Sequence, residues 1–401
     1  MPADLSARPE MQFLLALLSQ GAVGSGVSEP GEETPLDGTK LRHLARTHGV
    51  TTLANARLGE GRCAGLLSTT VRQQLAQDAR ESSFLAMAQV AALAQIQAAM
   101  DEAGVPLIAW KGPSLSAQLY GSYALRASCD LDFLLMAKDV PEAIRILAPL
   151  GFELVSSLTS SAAAARACKL HCEVHLHRKH DRVHLELHDE VMPRIYGRWM
   201  PMEGCMRRSV WLALDAHTRV RTLATDDLLL SLCSHGTKHG WDSLKWVCDV
   251  AGFLARYGEA TDWTGLLADA RKASALKSLL VGIRLAVEVL GATEPEPVQR
   301  CTYAEAEVRA IVRTTARRLS SGDTTRLNKR ETLSSALNTV PTRSARAMYL
   351  ARRITTVTEH EIEALPLPTA LYPLYYPLRA LRLTGKGIRA GWERLGGATS
   401  K

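Results

Sequence analysis

An α+β fold is predicted by three patterns in the chain. Apolar residues at helical spacing dominate both ends. Between them lie short apolar runs of strand length, at 105–110, 131–136 and 151–155. Two strictly alternating arms follow, at 169–177 and 183–188. Together these predict a small mixed β-sheet at 105–215. An N-terminal helical segment, 1–104, and a larger helical C-terminal region, 216–401, flank it. The 401 residues suit two or three such units.

The elements follow in order. Met11 to Leu18 predicts a first helix, and Gly21 to Gly38 a loop rich in Gly, Pro, Ser and Glu. Leu41 to Gly49 is a short helix with a glycine stop. Val71 to Met100 continues as helices. Its Ala-rich part, Phe84 to Met100, is expected to be capped by Ser82 or Ser83 and closed by Gly104. Gln89, Gln95 and Gln97 interrupt that stretch, so it reads as a core helix too short and too polar to span a bilayer.

Residues 105–135 carry the densest signal. Val105 to Trp110 is a buried strand bounded by Gly104 and by Gly112-Pro113. Pro113 and Ser114 open a short helix, because Pro suits a first helical turn. After a polar turn, Asp130-Leu-Asp132 heads a second strand, Leu131 to Met136. Positions i and i+2 of a strand share a face, so the two carboxylates point the same way, about 7 Å apart. Paired carboxylates repel, and a divalent cation with hard-oxygen preference, Mg²⁺ or Mn²⁺, relieves that. The strand–Gly–helix unit before them offers backbone amides to a phosphate.

Lys111-Gly112-Pro113-Ser114-Leu115, followed by Arg126-x-Ser128-x-Asp130-x-Asp132, resembles the polymerase-β-type nucleotidyltransferase superfamily. The branch it is most similar to is that of uncharacterised nucleotidyltransferases. The resemblance implies transfer of an NMP from an NTP to an acceptor hydroxyl, with release of pyrophosphate. It implies three acids holding the metals: Asp130, Asp132 and a third on a neighbouring strand. Glu186 in Leu185-Glu-Leu-His188 matches the family's element best, and Glu173 is the alternative. For the nucleotide it points to Lys111, Gly112, Ser114, Arg126 and Ser128. Gly121-Ser122 competes with Gly112 and Ser114 for the phosphate loop. The rival from another class is a non-catalytic nucleotide- or RNA-binding protein that keeps the fold.

The hairpin arms alternate, with Cys172, Val174 and Leu176 facing one way and His171, Glu173, His175 and His177 the other. A zinc site from His171, His175 and His184 is the competing reading of this segment. Further on, 226–256 is expected to form one helix. It would place His235, His239, Asp242, Trp246 and Asp249 on one face. Gly236 and Gly240 inside it imply close packing against the sheet or a nucleotide. Lys238 or Lys245 is its expected triphosphate contact. The tail carries a Pro- and Tyr-rich stretch, 365–379, then a basic helix through Arg379, Arg382, Lys386 and Arg389.

The totals narrow the classes. Aromatic residues are 5% of the chain, too few for stacking platforms along single-stranded nucleic acid. The net charge of +7 permits a phosphate-rich partner but is spread out. Eight cysteines without a C-x-x-C pair, and no signal-peptide pattern, predict reduced thiols in the cytoplasm and no transmembrane segment. The acceptor is left open between a small molecule, a peptide or protein, and RNA.

Overall fold

The central apolar runs form a five-stranded sheet in the order β1-β2-β5-β4-β3. The strands are β1 Ile108–Ala109, β2 Asp130–Leu134, β3 Phe152–Leu154, β4 Glu173–Arg178 and β5 Val183–His188. This computed structural model describes residues 9–19, 36–61, 63, 66–155, 173–191, 200–322, 327–340, 343–357, 361–362, 365 and 367–383. β2 runs parallel to β5, and the other neighbouring pairs are antiparallel. The sheet is therefore mixed and the fold α+β, as the sequence predicts.

Helices precede the sheet: α1 Pro9–Leu18, α2 Gly38–Thr47, α3 Thr51–Gly59 and α4 Thr69–Glu102. Within the core lie α5 Pro113–Tyr120 and α6 Val140–Leu147. After it come α7 Met202–Arg208, α8 Thr225–Lys238, α9 Leu244–Tyr257, α10 Trp263–Lys272 and α11 Leu276–Leu290. The chain continues with α12 Glu296–Ala304, α13 Ala306–Ser320, α14 Lys329–Thr339 and α15 Arg343–Thr355. A two-stranded ladder, β6 Val210–Ala213 with β7 Arg219–Thr222, was not foreseen from sequence.

Strand alternation divides the sheet between two environments. Leu131, Phe133, Leu185, Leu187, Val174 and Leu176 pack with Leu93, Ile96 and Met100 of α4 and with Ala143 and Leu147 of α6. The opposite face carries Asp130, Asp132, Glu186 and His188 towards α8 and α9. Leu134, on that same face, joins the larger helical core with Ile108 and Trp110.

Two expectations about helices are corrected. The helix thought to begin at Ser82 or Ser83 begins at Thr69, with Ser68 as its N-cap. The run 69–80 contains no glycine or proline to stop it. The resulting 34-residue helix is long and apolar enough to cross a membrane by length and composition alone. Its buried face packs on the sheet and on α3. Nor is 226–256 one helix. It breaks at Gly240 and Trp241, both in the left-handed region at φ 62° and 55°. The indole of Trp241 folds back onto Gly236, where an added Cβ would lie 2.6 Å from the ring, and against Gly282 at 2.8 Å. Gly236 inside the helical pattern and Gly282 of α11 make room for this tryptophan.

In the tail, Arg379 of the expected basic helix is buried, with its Nη1 3.1 Å from Glu361 Oε2. Positions 156–172, with His171 and Cys172 of the first alternating arm, lie outside the described residues, as do Lys386 and Arg389.

Candidate active site

One wall of the cleft is the polar face of β2 and β5. Parallel pairing sets Asp132 opposite Glu186, and antiparallel pairing sets His175 beyond Glu186. The next rung holds Leu134, His188 and Glu173. The arm beside β2 is thus 183–188, and Glu173 stands one strand further away. His188 Nε2 lies 3.1 Å from Asp132 Oδ1 and 3.3 Å from Glu186 Oε2. Its Nδ1 is 3.7 Å from Glu173. His175 Nδ1 is 3.2 Å from Glu186. Lys111 Nζ donates to Asp132 Oδ1 at 2.9 Å.

These contacts split the acids electrostatically. Burial would raise the Asp132 carboxyl, but Lys111 and His188 outweigh it and hold it well below the ordinary carboxylate range. Glu186 is depressed in the same way, with His175 and His188 overcoming its burial. Asp130 goes the other way: burial, then repulsion from Asp132 and Glu186, raises it. Its surroundings leave carboxylate charge less compensated there. The backbone behind it is held by Gln89 of α4, whose amide reaches the Ser128 and Asp130 carbonyls at 3.4 Å. Ser128 Oγ donates to the Asp130 carbonyl at 2.9 Å.

The facing wall comes from α8, α9 and the end of β1. It brings Trp110, His235, Lys238, His239, Lys245 and Trp246 to the same cleft. His235 and Trp246 rings sit 4.6 Å apart, and His239 stacks on Trp246 at 5.3 Å. Burial drives His235 well below its ordinary value, so it is a neutral ring. Burial, then the neighbouring Arg126, lowers the Lys245 ammonium to about 8. The helix break does not scatter these side chains, because the turn 239–243 returns the chain beside α8.

Of the nucleotide residues expected from sequence, Lys111, Arg126, Ser128, Lys238 and Lys245 line the cleft with all three acids. Arg126 is largely engaged: its Nε donates to both oxygens of Asp249, at 2.8 and 3.0 Å. Ser114 is fully buried, and its hydroxyl donates inward to the Ala109 and Lys111 carbonyls. That corrects its expected place at a phosphate. Gly112 is not among the lining residues either. Its φ of 66° lets the chain turn against β2, where a Cβ would meet the Asp130 carbonyl at 3.2 Å. Gly121, at φ 74°, ends α5 as a left-handed cap. Neither glycine element forms the cleft wall.

Asp132, Glu186 and His188 place one ligand atom each within 4.8 Å of one another, the one such group found among the described residues. With the undercompensated Asp130 carboxyl next to them, these residues fit a divalent cation. The family model for uncharacterised nucleotidyltransferases matches residues 34–291. The chain belongs to this family. Nucleotidyl transfer is therefore its general activity, and an NTP its implied substrate. The match spans α2 to α11 and so takes in both cleft walls. No curated protein matches the chain. Sequence reading of the nucleotidyltransferase motifs passed over Gln89, whose glutamine in an apolar helix was the available signal, and gave no role to His188.

Proposed function

We propose that the chain transfers an NMP from an NTP to an acceptor hydroxyl and releases pyrophosphate, using the cleft between β2/β5 and α8/α9. The observation that carries this is the register that sets Asp132 beside Glu186 on the face that Asp130 shares. Asp130, Asp132 and Glu186 would hold Mg²⁺ or Mn²⁺, which supplies Lewis-acid neutralisation of phosphate charge when bound. Lys238 and Lys245 bring positive charge from the opposite side of the cleft, and Lys111 adds to it from beside Asp132, where triphosphate oxygens would need it. Lys245, lowered to about 8, is still mostly an ammonium ion at neutral pH. Glu186 stays ionised throughout the physiological range, as a metal ligand must, and in this reading it also helps remove the proton of the attacking hydroxyl. His188 steers both Asp132 and Glu186 by bridging them.

One observation favours the non-catalytic alternative: Lys111 and His188 already neutralise Asp132 and Glu186 from within the chain. The experiment that separates the two is incubation with each α-labelled NTP, Mg²⁺ or Mn²⁺, and a cell extract. Label transfer to an acceptor, absent with Asp130→Asn, is the expected outcome. NTP binding without any transfer would establish the alternative.

A further inference from the structure

The N-terminal helical segment reaches the cleft at one turn. Helix α9 begins at Leu244, and its first amides need acceptors, as at any helix N-terminus. Ser243 supplies one in the usual way, with its Oγ accepting from Lys245 N at 3.3 Å. The Ser243 carbonyl accepts from Trp246 N at 3.2 Å, and two further acceptors come from a distant part of the chain. The His48 carbonyl accepts from Lys245 N at 3.1 Å and from Ser243 Oγ at 2.7 Å. His48 Nδ1 accepts from Leu244 N at 3.3 Å. The imidazole must therefore be neutral and protonated on Nε2. Burial pushes it down to about 4, consistent with that tautomer.

The next residue shapes the same contact. Gly49 has φ 65°, and a Cβ there would lie 3.3 Å from Lys245 Cδ and 3.6 Å from its Cβ. The lysine stem thus runs directly over the glycine before its ammonium enters the cleft, 4.4 Å from the Trp246 ring. From the other side, Arg318 of α13 donates to the Gly240 and Trp241 carbonyls at 2.6 and 3.0 Å. The turn that carries Lys245 is held between two segments remote in sequence.

We propose that the His48–Gly49 turn is a positioning element of the nucleotide site, capping α9 and aiming Lys245 at the NTP phosphates. His48 acts through Lys245 and touches no substrate. The inference rests on the nucleotide reading of the cleft. Its test is a binding cycle on the full-length chain, with Mg²⁺ and a fluorescent N-methylanthraniloyl derivative of ATP as the probe. His48→Ala is expected to weaken binding roughly tenfold. In a Lys245→Ala background the same change should have almost no further effect, because contacting residues are non-additive. Gly49→Ala, which would displace the lysine stem, should show the same dependence and serves if His48→Ala does not fold. A merely structural role would lower the melting temperature and cost the same factor with or without Lys245; that result overturns the proposal and leaves the nucleotide reading standing. Failure of the unaltered chain to bind the probe overturns the nucleotide reading and this inference with it.

Discussion

The two walls of the cleft are built on different principles. The acidic wall is two strands whose polar residues alternate with core residues, so each carboxylate is aimed by its own neighbours. Leu131 and Phe133 anchor one side of β2 in the core, and Asp130 and Asp132 necessarily take the other. The cationic and aromatic wall has no such local rule. It depends on a helix broken at Gly240, on Trp241 packed into the space over Gly236, and on caps lent by His48 and Arg318. In the proposed reading, chemistry that tolerates little displacement would sit on the rigid sheet. The contacts that bind and orient would sit on the wall that tertiary packing assembles.

If the walls divide the work in this way, damage to each should have its own signature. The largest effect is expected on the sheet. Asp130→Asn should lower transfer roughly a thousandfold or more while leaving the circular dichroism spectrum unchanged, since a neutral amide cannot share the metal charge. Asp132→Asn is a less clean test, because it leaves Lys111 and His188 facing a neutral group in a buried setting. Glu186→Gln should lower kcat far more than Glu173→Gln, which lies one strand further from Asp132. An equal loss from the two would break the assignment of the third acid.

The helical wall should respond in stability before chemistry. Trp241 is almost fully buried, so Trp241→Ala should cost about 3–5 kcal/mol in chemical denaturation. Trp241→Phe should cost much less, because the indole N–H makes no hydrogen bond among the described residues. Similar losses from both would show that packing over Gly236 is not what holds the turn.

A smaller effect sharpens the same contrast through pH. His48 in the folded chain titrates only near 4, against about 6.5 when unfolded. Below 6.5 the unfolded chain binds the extra proton and the folded chain does not. Stability is therefore lost as pH falls from about 6.5 towards 4, by at most roughly 3 kcal/mol from this group. Denaturation midpoints measured across that range should show a shallower slope in His48→Asn than in the unaltered chain. An unchanged slope would remove His48 from the link between the N-terminal segment and α9.

Much of the sheet was legible in the residues. Period-two alternation in Asp130-Leu-Asp132 and in Val183 to His188 specifies which side chains share a face, and nothing further away can reverse it without burying a charge. The Lys111 to Asp132 motif likewise carries the resemblance to the family whose model the chain matches. The phosphate-loop reading of Gly112 and Ser114 rested on a local pattern that does not say which way the turn faces. A strand–Gly–helix turn looks the same whether its amides face a cleft or its glycine packs onto the next strand, and only the Asp130 carbonyl at 3.2 Å distinguishes them. Ser114 was lost similarly, since a hydroxyl can turn inward to carbonyls three and five residues back.

By itself, then, the sequence determined the mixed sheet, the common face of Asp130 and Asp132, and the family, because these follow from spacings of two to a few residues. Tertiary structure alone decided which hairpin arm lies beside β2 and where the 226–256 run breaks. It also decided that His48, nearly two hundred positions away in the chain, caps the helix bearing Lys245. Those outcomes turn on which surfaces meet, and a backbone donor at a helix end records no preference for the acceptor that will satisfy it.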